Sequence, residues 1–240
     1  MSRQPRLVRL LPGILAGFAA CLVILISAVA WAAFDRGFYR RQYAELDTAA
    51  DIGITAAELE AGTTVLLDYL AGHRDDLGIE VRRNGRPQPL FNSRETEHML
   101  DVRELYRTAL AVRRAAVAVI VLMCGTVFFV HRKVRPALRQ IARGAVPGMA
   151  LFLASVALVA LWAVVDFSGF WTRFHLIFFR NDLWLLDPAT DMLIRMVPEP
   201  FFAALVRRIV LAAAGGILLL WGLAFCVSRR GRRREPARLR

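Results

Sequence analysis

Four apolar stretches constrain this 240-residue chain more than any other feature of its sequence. Each is long enough to cross the hydrocarbon core of a bilayer as an α-helix, which takes about 20 apolar residues. They span approximately residues 10–34, 109–130, 145–165 and 209–227. The sequence therefore predicts an all-α integral membrane protein with four transmembrane helices.

The formal net charge of +12 is unevenly distributed along the chain. Basic residues cluster in the segments 1–9, 132–144 and 229–240, whereas 35–108 and 168–206 carry more acidic than basic side chains. Because basic residues beside a span stay in the cytoplasm, we expect both termini and the 132–144 loop inside and the other two segments outside. The charge thus indicates membrane topology, with attraction to phospholipid headgroups and no nucleic-acid partner. The Arg-rich tail is expected to be largely disordered.

The first outer segment, residues 35–108, is too long for a simple connection and should fold into a small cap. Thr55 followed by Glu58 is a capping box that predicts the start of a helix. Asn84-Gly85 between two short extended runs predicts a β-hairpin. The cap is therefore expected to be helical with one hairpin.

A second capping box, Asn92 with Glu95, opens a stretch from residue 93 to 134 that contains no proline and a single glycine, Gly125. One helix is therefore expected to begin outside the membrane and continue as the second span. On that helix one face collects Arg94, His98, Asp101 and Leu105.

The second outer segment contains WTRFHLIFFRNDLW, residues 171–184, in which charged and polar side chains interrupt a series of aromatic residues. Aromatic rings favour the headgroup level of a bilayer, so this stretch is expected to lie along the outer leaflet. If it is helical throughout, His175, Phe179 and Asp182 share one face. A further helix is expected to start at the Asp-Pro pair 187–188.

Of the four histidines, His98 and His175 are the informative pair, since both lie in outer segments beside acidic residues. The sequence has no HExxH, no Cys–His zinc spacing and no GxSxG, and its three cysteines all fall in predicted spans. An enzyme with this inventory would supply acid–base groups and leave the nucleophile to its substrate. A metal site built from His98, His175 and Asp182 stays an alternative.

Two stretches resemble the signature regions of a known family. They are FNSRETEHMLDVRELY, residues 91–106, and FHLIFFRNDLWLLDPATDMLIRMVPEPFF, residues 174–202. They look like the signatures of the lipoprotein intramolecular transacylase (Lit) family of bacterial four-span membrane proteins. The resemblance implies an enzyme of the cytoplasmic membrane that acts on diacylglyceryl lipoproteins at the outer face. Such enzymes move the sn-2 acyl chain from glycerol to the α-amine of the lipid-bearing cysteine, giving the lyso form, without a cofactor.

The resemblance also implies roles for individual residues. His98 and His175 match the family's signature histidines; we favour His175 as the general base and His98 as its acid or orienting partner. Arg94 or Arg180 is expected to stabilise the oxyanion. The acids expected to orient the imidazoles are Glu95, Asp101 and Asp182. The aromatic residues expected to hold acyl chains are Trp171, Phe174, Phe178, Phe179 and Trp184.

Simpler interpretations of the secondary residues stay open. Arg180 would equally suit a lipid phosphate, and Asp101 and Asp182 would equally serve as ordinary helix charges. The alternative for the whole protein is a non-enzymatic lipid-binding scaffold or assembly factor, which would need the arginines but not the histidines. A transporter is disfavoured, because no acidic or basic residue lies at the middle of a span; Arg113, Arg114 and Asp166 all lie near outer ends.

Overall fold

A computed structural model describes residues 6–83 and 85–229 of the chain. The predicted hairpin residue Asn84, the first residues of the N-terminal segment and the Arg-rich tail from residue 230 lie outside the described residues. In chain order the elements are α1 Arg6–Ala33, α2 Arg36–Glu45, α3 Thr48–Ile52, α4 Ala56–Ala71, β1 Glu80–Arg83, β2 Arg86–Pro89, α5 Ser93–His131, α6 Val134–Val165, α7 Phe167–Phe178, α8 Met192–Met196 and α9 Glu199–Arg229.

Four helices within the described residues, α1, α5, α6 and α9, are long and apolar enough to cross a membrane. The predicted class of an all-α integral membrane protein with four spans is therefore confirmed. Helix α5 has 39 residues, about twice the length that a span needs. Its polar first turns, residues 93–108, thus precede the apolar stretch that begins at Ala109. Helix α6 already begins at Val134, so most of the predicted cytoplasmic loop is helical.

The described chain divides into two compact units, the first of which comprises residues 6–29, 111–161 and 209–229. In this unit α1 and α6 approach closely at small residues. A Cβ atom added to Gly13 would lie 2.6 Å from the carbonyl oxygen of Ile141, and one added to Gly17 would lie 2.8 Å from Cα of Ala145. The absence of side chains at these two glycines therefore permits the backbone contact. The buried core of the unit contains Cys21, Ala145, Met149, Phe152 and Ile217.

The second unit, Ala30–Leu110 and Trp162–Arg208, contains the predicted cap. Thr55 and Glu58 form the capping box at the start of α4, as predicted. Strands β1 and β2 form an antiparallel two-stranded sheet in which Val81 faces Gln88, and Gly85 in the turn has φ +78°. The hairpin predicted from the sequence is thus present. A second Glu58 carboxylate oxygen accepts the backbone N–H of Arg82 at 2.7 Å and ties the hairpin to α4.

An aromatic cluster forms the centre of the second unit. Phe201, which is completely buried, packs against Phe38, Tyr39 and Tyr43, with ring centroids 5.3, 5.0 and 6.0 Å away. These rings come from α2 and from the first turn of α9, so the cluster joins residues more than 150 positions apart.

The predicted helix at residues 187–188 is not formed. The Asp187 side chain instead accepts the backbone N–H of Ala189 at 2.9 Å, which closes a turn, and the short helix α8 begins only at Met192. The aromatic stretch 171–184 is also not helical throughout. Helix α7 ends at Phe178, so Asp182 does not share a helical face with His175.

Candidate functional site

The first turns of α5 carry one of the two informative histidines. The backbone N–H of Asn92 donates to Glu95 at 2.7 Å, and the N–H of Glu95 donates to the Asn92 side chain at 3.0 Å. This is the second predicted capping box, and it fixes where the helix begins. His98 lies one turn later and is 6% exposed. Its Nδ1 atom is buried and has no hydrogen-bond partner among the described residues.

Helix α7 carries the other histidine. Asp166 caps this helix by accepting the backbone N–H of Gly169 at 2.8 Å. His175, 7% exposed, has its Nδ1 atom 2.8 Å from the carbonyl oxygen of Trp171. Because a carbonyl oxygen can only accept, the proton of a neutral His175 lies on Nδ1. The lone pair of Nε2 is therefore available to take a proton.

The two histidines meet, although 77 positions separate them in the sequence. Their ring centroids are 6.1 Å apart, at an interplanar angle of 35°. The buried side chain of Phe179 contacts both rings, at 5.2 Å from His98 and 5.6 Å from His175. The structure thus brings the two histidines singled out from the sequence to one place.

Both imidazoles are held in the neutral form at pH 7. Burial, with smaller contributions from His175 and Arg94, lowers the pKa of His98 to about 4, and Asp101 partly opposes this shift. Burial also lowers the pKa of His175, partly offset by the hydrogen bond to Trp171. A neutral imidazole is the form that accepts a proton, so either ring has the protonation state of a general base.

Aromatic rings enclose His175 on several sides. The indole of Trp184 stacks on the imidazole, with ring centroids 4.8 Å apart and an interplanar angle of 25°. Trp171 lies edge-on at 4.7 Å and Phe174 at 5.5 Å. Phe178, by contrast, is half-exposed and contacts Phe174. It belongs to an exposed apolar face of α7 that also contains Leu176 and Ile177.

The predicted supporting acids have partners other than the imidazoles. Glu95 is 1% exposed, and its carboxylate accepts the backbone N–H groups of Asn92 and Leu193. Burial raises its pKa, and these two hydrogen bonds partly offset the rise. Asp101 accepts the side-chain amide of Asn181 at 2.8 Å. Glu95 and Asp101 therefore tie α5 to the second outer segment, and neither is hydrogen-bonded to a histidine within 6–83 and 85–229.

The two predicted oxyanion-stabilising arginines differ in their surroundings. Arg94 donates to the carbonyl oxygen of Asp182, and its guanidinium lies 3.7 Å from the Asp182 carboxylate. Asp182 thus pairs with an arginine rather than with an imidazole. Arg180 is exposed, and in the described part of the chain its side chain has no hydrogen bond or ion pair.

Sequence reasoning missed two residues that organise the site, Asn181 and Asp191. The Asp191 carboxylate, 4% exposed, accepts the side-chain amide of Asn92 at 2.7 Å, the backbone N–H of Asp187 at 2.7 Å and the hydroxyl of Thr190 at 3.0 Å. Burial raises its pKa, but these hydrogen bonds outweigh burial and hold the pKa below its usual range. Their sequence signal is weak, because each is only one of several polar residues that interrupt a stretch rich in aromatic and aliphatic side chains.

The alternative metal site is not assembled in the structure. No group of three or more His, Cys, Asp or Glu side chains is placed to hold a metal ion within the described ranges. Asp182, the proposed third ligand, is directed to Arg94 instead.

Comparisons with known proteins identify a family and a fold for this chain. A family model described as lipoprotein intramolecular transacylase Lit matches residues 14–202, well over half of the chain. A solved structure of the membrane integral lipoprotein intramolecular transacylase Lit from Bacillus cereus is similar, with a TM-score of 0.75 at 20% identity, covering 94% of this chain and 98% of that chain. Curated proteins give no match.

Two further structures of the Bacillus cereus protein carry a histidine replaced by arginine or by alanine. Each has a TM-score of 0.71 at 21% identity and covers at least 94% of both chains. At this identity the structures establish the fold, while the family match establishes the predicted enzyme class, a transferase.

Proposed function

Because this chain belongs to the lipoprotein intramolecular transacylase Lit family, we propose that it moves the sn-2 acyl chain of a diacylglyceryl lipoprotein to the α-amine of the lipid-bearing N-terminal cysteine. The supporting observation is the meeting of His98 and His175, two buried neutral imidazoles from distant segments. The product is the N-acyl, S-monoacylglyceryl form. Donor and acceptor are parts of one molecule, so the enzyme has to hold them together rather than bind a second substrate.

The reaction consists of an acyl transfer from oxygen to nitrogen. The ammonium group first loses a proton, and the resulting amine attacks the sn-2 ester carbonyl. A carbon–nitrogen bond forms, the carbon–oxygen bond to glycerol breaks, and a second proton passes from nitrogen to the departing glycerol oxygen. The net reaction releases one proton and needs neither an enzyme nucleophile nor a cofactor.

His175 is the proposed general base of this reaction. Its Nδ1–H is engaged by Trp171, so Nε2 is the nitrogen that takes the proton from the substrate amine and returns it to the glycerol oxygen. His98 is the proposed partner, because its buried Nδ1 atom has no other group to bond among the described residues. Arg94 and Arg180 are the candidates that stabilise the oxyanion of the tetrahedral intermediate.

The lipid environment of the proposed site follows from the exposed face of α7. Leu176 and Ile177 are 55% and 73% exposed, which suits contact with acyl chains or with the bilayer interface. We place the site on the extracytoplasmic side, since basic residues flank the opposite ends of the spans. The aromatic rings around His175 would then bind the acyl chains of the substrate, with phospholipids surrounding them.

The test is mass spectrometry of the N-terminal lipopeptide of a reporter lipoprotein, produced in a host that lacks other N-acylating enzymes. The host carries the intact protein, His98→Ala, His175→Ala or His73→Ala. His73 lies in an exposed loop and is the matched control. Fragmentation must locate each acyl chain, since the lyso and diacylglyceryl forms with equal chains have equal mass.

We expect N-acylation with the intact protein and with His73→Ala, and none with either of the other two variants. A free amine in the presence of well-expressed intact protein would refute the transacylase proposal and favour a lipid-binding scaffold. Loss of activity on addition of a chelator would instead favour a metal-dependent reaction.

A further inference from the structure

Trp184 is held in place independently of the histidine on which it stacks. Its indole N–H donates to the backbone carbonyl of Asn181 at 3.0 Å. The Asn181 side chain donates to Asp101 at 2.8 Å and accepts the backbone N–H of Leu183 at 3.2 Å. The indole is therefore connected through Asn181 to α5, the helix that carries the other histidine.

The indole presents its face to His175. At 4.8 Å and 25° the two rings are offset and nearly parallel, the geometry in which a cationic imidazolium lies over the electron-rich face of tryptophan. His175 is buried, so a positive charge on it would lose most of its hydration. Tryptophan gives the strongest interaction with a cation among the aromatic side chains, and the interaction strengthens when water is excluded.

None of the charged groups near His175, within the described residues, is placed to stabilise a positive charge on its ring as the indole is. The side facing α5 presents the neutral ring of His98, with Asp101 and Arg94 acting on His98. Asp182, in the following loop, is paired with Arg94. Within the described residues no carboxylate is hydrogen-bonded to His175, whose one bonded partner is the Trp171 carbonyl.

We propose that Trp184 is a positioning residue that fixes the His175 ring and stabilises the imidazolium formed when His175 takes a proton. Its catalytic consequence rests on the proposed function, whereas its effect on the imidazole itself does not. This role differs from the acyl-chain contact predicted for Trp184 from the sequence.

The test uses the full-length protein in nanodiscs, with isotopically labelled histidine and NMR titration of the imidazole carbons. The variants are Trp184→Leu, Trp184→Phe and the control Phe178→Leu, and His175→Ala identifies the His175 signal. Phe178 has no ring contact with His175 in the structure, although it lies at the end of the same helix. Transacylation of a synthetic diacylglyceryl lipopeptide is measured with the same proteins across pH.

We expect Trp184→Leu to lower the pKa of His175 by about 0.5–1 unit, because the protonated ring loses the indole face. Trp184→Phe should lower the pKa of His175 less, and Phe178→Leu should leave that pKa unchanged; Phe178→Leu is a control for the titration alone, because Phe178 is itself a predicted acyl-chain contact. The weaker base should reduce kcat roughly 3- to 10-fold with little change in KM, and should move the acid limb of the rate profile to lower pH.

An unchanged or raised pKa of His175 in both Trp184 variants would overturn the inference. The titration needs no turnover, so it is distinguishable from failure of the proposed function. A lowered pKa in a protein that never transfers an acyl chain would uphold the ring interaction and refute the reaction. If Trp184→Leu fails to fold, the phenylalanine variant and its smaller shift decide.

Discussion

Exchanging the partners of the part-buried hydrogen bond between Asn92 and Asp191 provides a sharp test of how the site is built. In Asp191→Asn one of the two carboxylate oxygens is replaced by an NH₂ group, which cannot accept a hydrogen bond. Either the Asn92 amide or the backbone N–H of Asp187 therefore loses its acceptor. In Asn92→Asp two carboxylates face each other. In the double variant the amide at position 191 donates to the carboxylate at position 92, which can still cap α5, and the charge is conserved.

The magnitude follows from the burial of Asp191, which is 4% exposed and accepts three hydrogen bonds. A hydrogen bond to a charged group contributes about 1.5–3 kcal/mol, and an unpaired buried donor costs about 1–3 kcal/mol. We therefore expect each single variant to lose about 2–3 kcal/mol of unfolding free energy. The double variant should lie within about 1 kcal/mol of the unsubstituted protein, which gives a coupling energy of several kcal/mol.

The assay is unfolding in mixed micelles with increasing sodium dodecyl sulfate, followed by tryptophan fluorescence, together with transacylation by the folded fraction of each variant. Since the bond joins the two segments that carry the histidines, activity should follow the same pattern and recover in the double variant. Additive losses, with the double variant worse than either single one, would refute the reasoning, because they would show that the two side chains do not interact.

Two further predictions concern pH and helix packing. Lowering the pH from about 6.5 to about 4 should reduce the unfolding free energy by up to roughly 3 kcal/mol, because His98 in the unfolded chain binds a proton in this range, whereas folded His98, with a pKa of about 4, does not. His98→Asn should flatten this pH dependence in the same micelle assay. An unchanged slope in that variant would contradict the lowered pKa of His98. Gly17→Leu should destabilise the protein by about 2 kcal/mol or more, since a Cβ atom at position 17 would lie 2.8 Å from Cα of Ala145. Gly125→Leu should be tolerated, because a Cβ atom there would have nothing within 4 Å. Equal unfolding midpoints for the two variants would exclude the close contact between α1 and α6.

The elements that the sequence predicts correctly are those fixed by local rules. The length and polarity of the apolar stretches determine the four spans, and both capping boxes join residues three positions apart. The helix expected to begin at Asp187 begins instead at Met192, because both aspartate side chains have other partners. Asp187 closes a local turn with Ala189, while Asp191 is anchored to Asn92, 99 positions away. That long-range bond has no counterpart in the local pattern.

In the candidate site, too, local sequence patterns identify some features, whereas others depend on long-range contacts. His98 and His175 are identifiable from residue type and segment, and the structure brings them within 6.1 Å. The acids beside the histidines are expected from the family resemblance to orient the imidazoles, but Glu95 and Asp101 use their carboxylates to bind the second segment instead. Helical spacing shows which residues share a face, and it does not show what a neighbouring segment presents to that face.

The second segment lacks regular structure between Phe178 and Met192, so its order has to come from its contacts. Four of these contacts come from helix α5 and its N-cap residue Asn92, all within the first three turns of the helix. The pairs are Asn92 with Asp191, Arg94 with the Asp182 carbonyl, Glu95 with the Leu193 N–H and Asp101 with Asn181. A helix holds its side chains at fixed positions, so these four contacts also fix the position of the segment that carries Trp184. The two stretches that resemble the family signatures thus fold as one hydrogen-bonded unit, which is held by residues that are not hydrogen-bonded to either imidazole in the described part of the chain.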